Sequence, residues 1–432
     1  MQSIAGIDAV AVGCNAGLLR EIVYDQCQFR DLGPRMLLLT VFILLVFGYG
    51  LVSRRLSGSL LTAPILFMAC GIVAAKLIPA QDLTEGSLGN FLTIAELGLV
   101  LLLFSAASKT DLRELRRDGV LSARLLSVGM LLTIGCGAGL AVWIFPQLSW
   151  WHAGILAAIL APTDAGLGQV IVESKQVPKD VRESLEVEAG LNDGLSVPFL
   201  LFFIALSQAG TESDVSLMQF VIEQLVYGAL IGAVIGLLGG ALLEFSRRRD
   251  WMADSTQQLA IIALPVLCIL AAEAFHASMF IAAFVAGLTT QYHYRDATPE
   301  SWSFSAQTGE FLNYAVFFLF GLLAFEALPF INGWYVLYAL GSLTIVRMVP
   351  VSLALLGSGL SWAKIAFMGW FGPRGLASIV LGLVFLEQQE SSDTTELIKV
   401  AVIVTVLLSI LLHGMSARVG INWLARRHGS GE

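Results

Sequence analysis

The sequence predicts an all-α polytopic membrane protein of about 13 transmembrane helices, arranged as an inverted repeat with two broken helices. Three observations lead there. Of 432 residues, 56% are hydrophobic and 13% charged, and the mean hydropathy is +0.78, far above that of a soluble domain. Apolar stretches of about 17 to 25 residues, each able to cross a hydrocarbon core about 30 Å thick, recur from Met36 to Val419. Two of these stretches, an odd number of spans apart, carry proline and glycine in their middles.

In chain order the spans are 36–53, 59–78, 90–107, 121–146, 151–172, 183–207, 218–244, 256–273, 277–291, 305–326, 333–357, 362–386 and 396–418. The first ends at Arg54 and Arg55, and the fourth follows the basic run Lys109 to Arg117. In the seventh, Gly228, Gly232, Gly236 and Gly240 recur every fourth residue, a stripe for close helix packing that serves either a dimer or a linker helix. Residues 1–35 lack a basic start, a clean apolar core and a cleavage site, and read as a leader rather than a signal peptide. The transmembrane domain covers 36–419, with core helices including 90–207 and 305–418 and a linker helix at 218–244. Residues 420–432 form a short tail.

Formal net charge is −8, but in a membrane protein the placement of Lys and Arg matters more. Arg54 and Arg55, Lys109 to Arg117, Lys175 to Arg182, Arg247 to Arg249, Arg295 and the tail with Arg418, Arg426 and Arg427 fall in every second connection. The alternate connections, such as Pro79 to Asn90 and Glu387 to Glu396, contain none. The positive-inside rule puts the first span's N-terminus outside and the C-terminus in the cytoplasm, as an odd number of spans requires. Lys76 and Lys399 are exceptions at outer helix ends, where long side chains snorkel. The five Cys show no metal-binding or disulfide spacing.

The fifth span reads ILAPTDAGLGQ and the twelfth GWFGPRGLASI. Pro162 and Pro373 each remove a helical donor, and the adjoining glycines loosen the chain. A plain proline kink is the simpler reading of either break alone. Two breaks at corresponding places, separated by an odd offset, fit halves of opposite orientation. Unwound backbone at that depth must be buried in protein or line a cavity, where it offers carbonyls and helix-end dipoles to ions.

Charges inside a membrane cost upwards of about 2.5 kcal/mol each, so each requires a partner or a task. The candidates are Glu96, Asp164, Glu188, Asp193, Arg347 and Arg374. Glu188 and Asn192 are four residues apart on one helical face, with Asp193 about 100° further round. Hard monovalent cations take oxygen ligands, which Asp193, Thr163 and the carbonyls around Ala161 to Thr163 supply, with Glu96 as a further carboxylate. His413, within LLHGMSA, fits a hydrogen-bonded structural role.

The stretch APTDAGLGQVIVESKQVPKDVRESLEVEAGLNDGLSVPFLL, with its T-D pair and E-x-x-x-N-D run, and the later GPRGLASIV segment, resembles the cation:proton antiporters. The branch it is similar to is that of the NhaP-type antiporters and sodium/proton exchangers, over Met36 to the C-terminus. The resemblance implies an NhaA-like antiporter fold, a homodimer in the cell membrane, and two broken helices crossing at the ion site. It implies that Asp193 binds cation or proton, supported by Asn192, Thr163, Asp164 and Glu96. It further implies that Glu188 pairs with Arg347 and that Arg374 offsets the broken-helix dipoles. Ala189 is a departure: many relatives carry Ser there, whose hydroxyl can act as a ligand.

A buried carboxylate can hold a proton or a cation, not both. Moving it empty and ionised through an apolar barrier costs about 3 kcal/mol or more, slowing that step by over two powers of ten. With Asn rather than a second acid at 192, one proton trades for one cation such as Na+, Li+ or K+, and exchange is expected to be electroneutral. A K+/H+ antiporter and a passive cation channel are the competing readings, the latter because buried acids and broken helices also line pores. No enzyme motif and no cofactor requirement stand out.

Overall fold

Inside a hydrocarbon phase the backbone must satisfy its own hydrogen bonds, and every regular element among the described residues is a helix. The computed structural model describes residues 36–56, 62–76, 86–109, 120–172, 174–208, 214–294, 299–389 and 392–428. The expected leader at 1–35, Arg295, most of the basic run after Lys109 and the last four residues of the expected tail lie outside them. Among the described residues nine helices are long and apolar enough to cross a membrane, and Ala63–Ala75, Trp150–Ile159 and Leu376–Gln388 are shorter apolar helices.

The helices are α1 (Met36–Leu56), α2 (Ala63–Ala75), α3 (Gly86–Lys109) and α4 (Val120–Ile144). A break divides α5 into α5a (Trp150–Ile159) and α5b (Ala165–Val172). Then come α6 (Lys179–Gln208), α7 (Asp214–Arg248), α8 (Asp254–Ala274), α9 (Met279–His293) and α10 (Pro299–Ala327). After α11 (Gly333–Ala354), a second break divides α12 into α12a (Trp362–Trp370) and α12b (Leu376–Gln388). The last helix, α13 (Asp393–His428), runs past the boundary expected at 418.

Two irregularities escaped the sequence reading. A π-helical turn, Leu125–Gly129, interrupts α4. In α11 the helix breaks at Thr344 (φ −107°, ψ −84°), whose hydroxyl donates back to the Leu340 carbonyl at 2.6 Å. Such local bonds compete with the helical ladder and bend it. The break falls three residues before Arg347.

Packing sorts the helices into two bundles. One gathers α2, α3, α7, α8, α9 and α10; the other gathers α4, α5, α6, α11, α12 and α13. Thus α3 and α10, expected among the core helices within 90–207 and 305–418, pack chiefly against α2, α8 and α9 instead. Small residues cause this. Gly71 of α2 and Gly321 of α10 let the two backbones touch, since a Cβ at either would lie within 2.2 Å of a carbonyl oxygen of the other helix. The glycine stripe of α7 does the same against α9, where a Cβ on Gly232 would meet Ala282 O at 2.3 Å. The bundles meet where α3 and α9 lie on α6, and where α10 lies on α12b and α13. That interface holds the candidate site.

Candidate ion-binding site

Each break contains a proline that removes a helical donor, Pro162 in one and Pro373 in the other. Between α5a and α5b, Ala161 to Asp164 are non-helical, and between α12a and α12b so are Phe371 to Gly375. The two breaks meet. The Asp164 N–H donates to the Pro373 carbonyl at 2.8 Å. The Asp164 carboxylate then caps both second halves: Oδ1 accepts from the Leu167 N–H at 3.0 Å and Oδ2 from the Leu376 N–H at 2.6 Å. Two helix N-termini therefore converge on one carboxylate, as their dipoles favour. Only glycine fits at 375, because a Cβ there would lie 1.9 Å from Asp164 Oδ2.

Opposite charge lies on the other side of the same crossing. Arg374 is fully buried, and its Nη1 donates to the carbonyls of Ala161 and Pro162. These carbonyls follow the C-terminal end of α5a, where partial negative charge gathers. The Arg374 N–H donates to Ser409 Oγ at 2.6 Å, tying the α12 break to α13.

On α6, Asn192 Nδ2 donates to Thr163 Oγ1 at 2.7 Å, joining this helix to the unwound segment of α5. Asn192 Oδ1 is buried and meets no donor among the described residues. The same holds for Asp193 Oδ1, although Asp193 as a whole is only partly buried. Asp164 and Asp193 stand within electrostatic range of each other. Successive residues of α6 thus offer one carboxylate oxygen and one amide oxygen, both enclosed and unsatisfied, with the amide of Asn192 bonded to the Thr163 hydroxyl. Such groups are costly unless something binds them. Among the described residues no group of three or more His, Cys, Asp or Glu could hold a metal ion, so a cation beside the Asp193 carboxylate would draw its other ligands from neutral oxygens.

Glu188, also on α6, forms a buried bidentate pair with Arg347 of α11 at 2.6 and 2.8 Å. A Cβ on Gly372 would lie 2.4 Å from Arg347 Nε, so this pair leans on the α12 break. Glu96 is placed differently. It is half-buried on α3, within electrostatic range of Glu387 and Glu273 at the ends of α12b and α8. Gly190 packs on Ala106, which lies about 15 Å further along α3 than Glu96. The structure therefore groups Asp193 with Asn192, Thr163 and Asp164, and Glu96 with Glu273 and Glu387. Ala189 is buried and adds no side-chain oxygen. His413 has Nδ1 at 2.9 Å from the Ser409 carbonyl and Nε2 at 2.9 Å from that of Trp370.

The model of the transmembrane sodium/hydrogen exchanger family matches residues 41–423. The chain belongs to the sodium/hydrogen exchanger family. Members of this family are cation/proton antiporters, transporters rather than enzymes. Among relatives of this exchanger, the Na(+)/H(+) antiporter of Schizosaccharomyces pombe is 26% identical over 410 residues, 86% of this chain and 86% of that protein. The K(+)/H(+) antiporter NhaP of Alkalimonas amylolytica is 26% identical over 399 residues, 89% of this chain and 67% of that one. The fold matches the sodium proton antiporter MjNhaP1 of Methanocaldococcus jannaschii with a TM-score of 0.72 at 19% identity, covering 91% of this chain and 99% of that one.

Ser409, whose Oγ accepts the Arg374 N–H, gave no signal in the sequence, because a serine in an apolar span is ordinary.

Proposed function

We propose that this exchanger trades one sodium ion for one proton, electroneutrally, by alternating access at Asp193. The observation that carries this reading is the pair of buried, donor-free oxygens on successive residues of α6, Asp193 Oδ1 and Asn192 Oδ1, the latter on an amide that bonds Thr163. A proton or a cation can neutralise Asp193, and the two compete. The empty ionised site crosses the apolar interface between the bundles only at a cost of about 3 kcal/mol or more, which couples the two fluxes. Asn192 contributes no charge. Asp164 is occupied by two backbone donors and Glu188 by Arg347, which supports constant protonation for both through the cycle.

In this reading Asp164 acts as the clamp between the broken helices, and Arg374 balances the carbonyl end of α5a. Glu96 belongs to an outer approach rather than the first layer of ligands. The protein works as a homodimer in the cell membrane, with its C-terminus in the cytoplasm.

Proteoliposomes loaded with acid and given external sodium should alkalinise, with little dependence on an imposed membrane potential. Asp193→Asn should abolish this. Retained exchange in that variant would move the ion site elsewhere, strong voltage dependence would overturn one-for-one stoichiometry, and current without proton counter-transport would indicate a channel. Potassium is the second reading, favoured by the K(+)/H(+) antiporter among the relatives. Comparing sodium, lithium and potassium in the same assay decides it.

A further inference from the structure

We propose that Asn313 is a cation-binding residue, supplied to the ion site by α10 from the opposite bundle, so that the coordination shell is completed across the interface; this rests on the antiport reading above. Asn313 lies midway along α10 and is only 7% exposed. Val316 and Phe317, on the following turn, are fully buried. An amide in such surroundings needs partners, yet Asn313 Oδ1 is buried and meets no donor among the described residues.

Its position gives the reason. A Cβ built on Gly166, in the first turn of α5b, would lie 3.4 Å from Asn313 Nδ2 and 3.0 Å from Asp164 Oδ1. The amide of α10 and the clamping carboxylate thus flank the same small space. That space is open on one side, since Gly166 is exposed. Thr163 and Asp164 lead directly into this helix. The neighbouring Leu312 packs on α3, its Cβ 3.2 Å from the Cβ position of Gly98.

A half-turn of the amide exchanges its oxygen and nitrogen and presents Oδ1 to the space. A hard monovalent cation accepts such a neutral oxygen. The ligand adds affinity and discriminates among ion sizes without adding charge, so it leaves one-for-one exchange intact.

The test uses the full chain in proteoliposomes with sodium, lithium and potassium, comparing wild type with Asn313→Leu, Asn313→Asp and Asn313→Ser. Asn313→Leu keeps the volume and removes both polar atoms. It should raise the half-saturating sodium concentration about tenfold, lower the maximal rate by less, and change the ratio of half-saturation values among the three ions. Asn313→Asp, which keeps oxygens at that position, should lower half-saturation at alkaline pH. A wild-type half-saturation and ion ratio in Asn313→Leu overturns the proposal. If that variant does not fold, Asn313→Asp and Asn313→Ser decide: equal increases in half-saturation with an unchanged ion ratio indicate a packing role and overturn it. Asp193→Asn in the same assay keeps the two readings apart. Loss of exchange there with a wild-type Asn313→Leu rejects only Asn313 as a ligand, whereas retained exchange in Asp193→Asn rejects the Asp193 site itself.

Discussion

Asp164 Oδ2 accepts the Leu376 N–H at 2.6 Å, linking residues 212 positions apart in the chain and fastening the start of one broken helix to the unwound end of the other. The same carboxylate caps its own half-helix through Leu167. One side chain therefore sets the relative position of the two breaks.

Asp164→Asn replaces one acceptor oxygen by a donor that faces a backbone N–H. Losing one charge-assisted cap and leaving a buried donor unpaired costs about 1 to 3 kcal/mol. The thermal midpoint in detergent should fall, and exchange should fall at least about tenfold, since both half-helices lose their anchor. Melting curves and dye assays on the same preparation check this. A wild-type midpoint would show that the crossing holds without the clamp.

The Glu188–Arg347 pair is buried on both sides. Removing either partner leaves an uncompensated charge and should cost about 3 to 5 kcal/mol. Replacing both, as in Glu188→Leu with Arg347→Met, should recover most of that loss, which a double-mutant cycle of melting temperatures measures. Gly372→Ala should weaken the same pair from the α12 break, because its Cβ would fall 2.4 Å from Arg347 Nε. Additive single and double losses would mean the two charges do not depend on each other.

A Cβ on Gly236 of α7 would lie 2.1 Å from Thr289 Oγ1 and 2.5 Å from the Ala286 carbonyl of α9. Gly236→Ala should therefore cost about 1 to 3 kcal/mol through forced separation of the helices. Gly135→Ala on α4 is the control, since nothing lies within 4 Å of its Cβ position; it should change stability by less than about 0.5 kcal/mol. Comparable melting temperatures for the two variants would rule out glycine-mediated contact between α7 and α9.

Much of the candidate site was legible because charge is expensive in a membrane. Glu188, Asp193, Arg347 and Arg374 stood out against apolar neighbours, and Pro162 and Pro373 marked where helices must break. The role of Asp164 was harder to read. A carboxylate beside an unwound segment looks like an ion ligand until its oxygens are seen to be taken by Leu167 and Leu376. Glu96 looked equally suited to the site, but its level along α3 groups it with Glu273 and Glu387.

The sequence by itself determined that this chain is a bundle of membrane helices, where proline breaks two of the spans, and which few residues carry charge into the bilayer. These follow from local composition, because hydropathy, proline chemistry and the cost of burying charge act on each segment separately. Only the tertiary structure decided which bundle α3 and α10 join, which carboxylate is a clamp and which is left unsatisfied, and that Asn313 faces the first turn of α5b. Those outcomes depend on how closely glycines such as Gly71, Gly321 and Gly375 let distant backbones and side chains approach. Contact between helices far apart in the chain is a property of the packed whole.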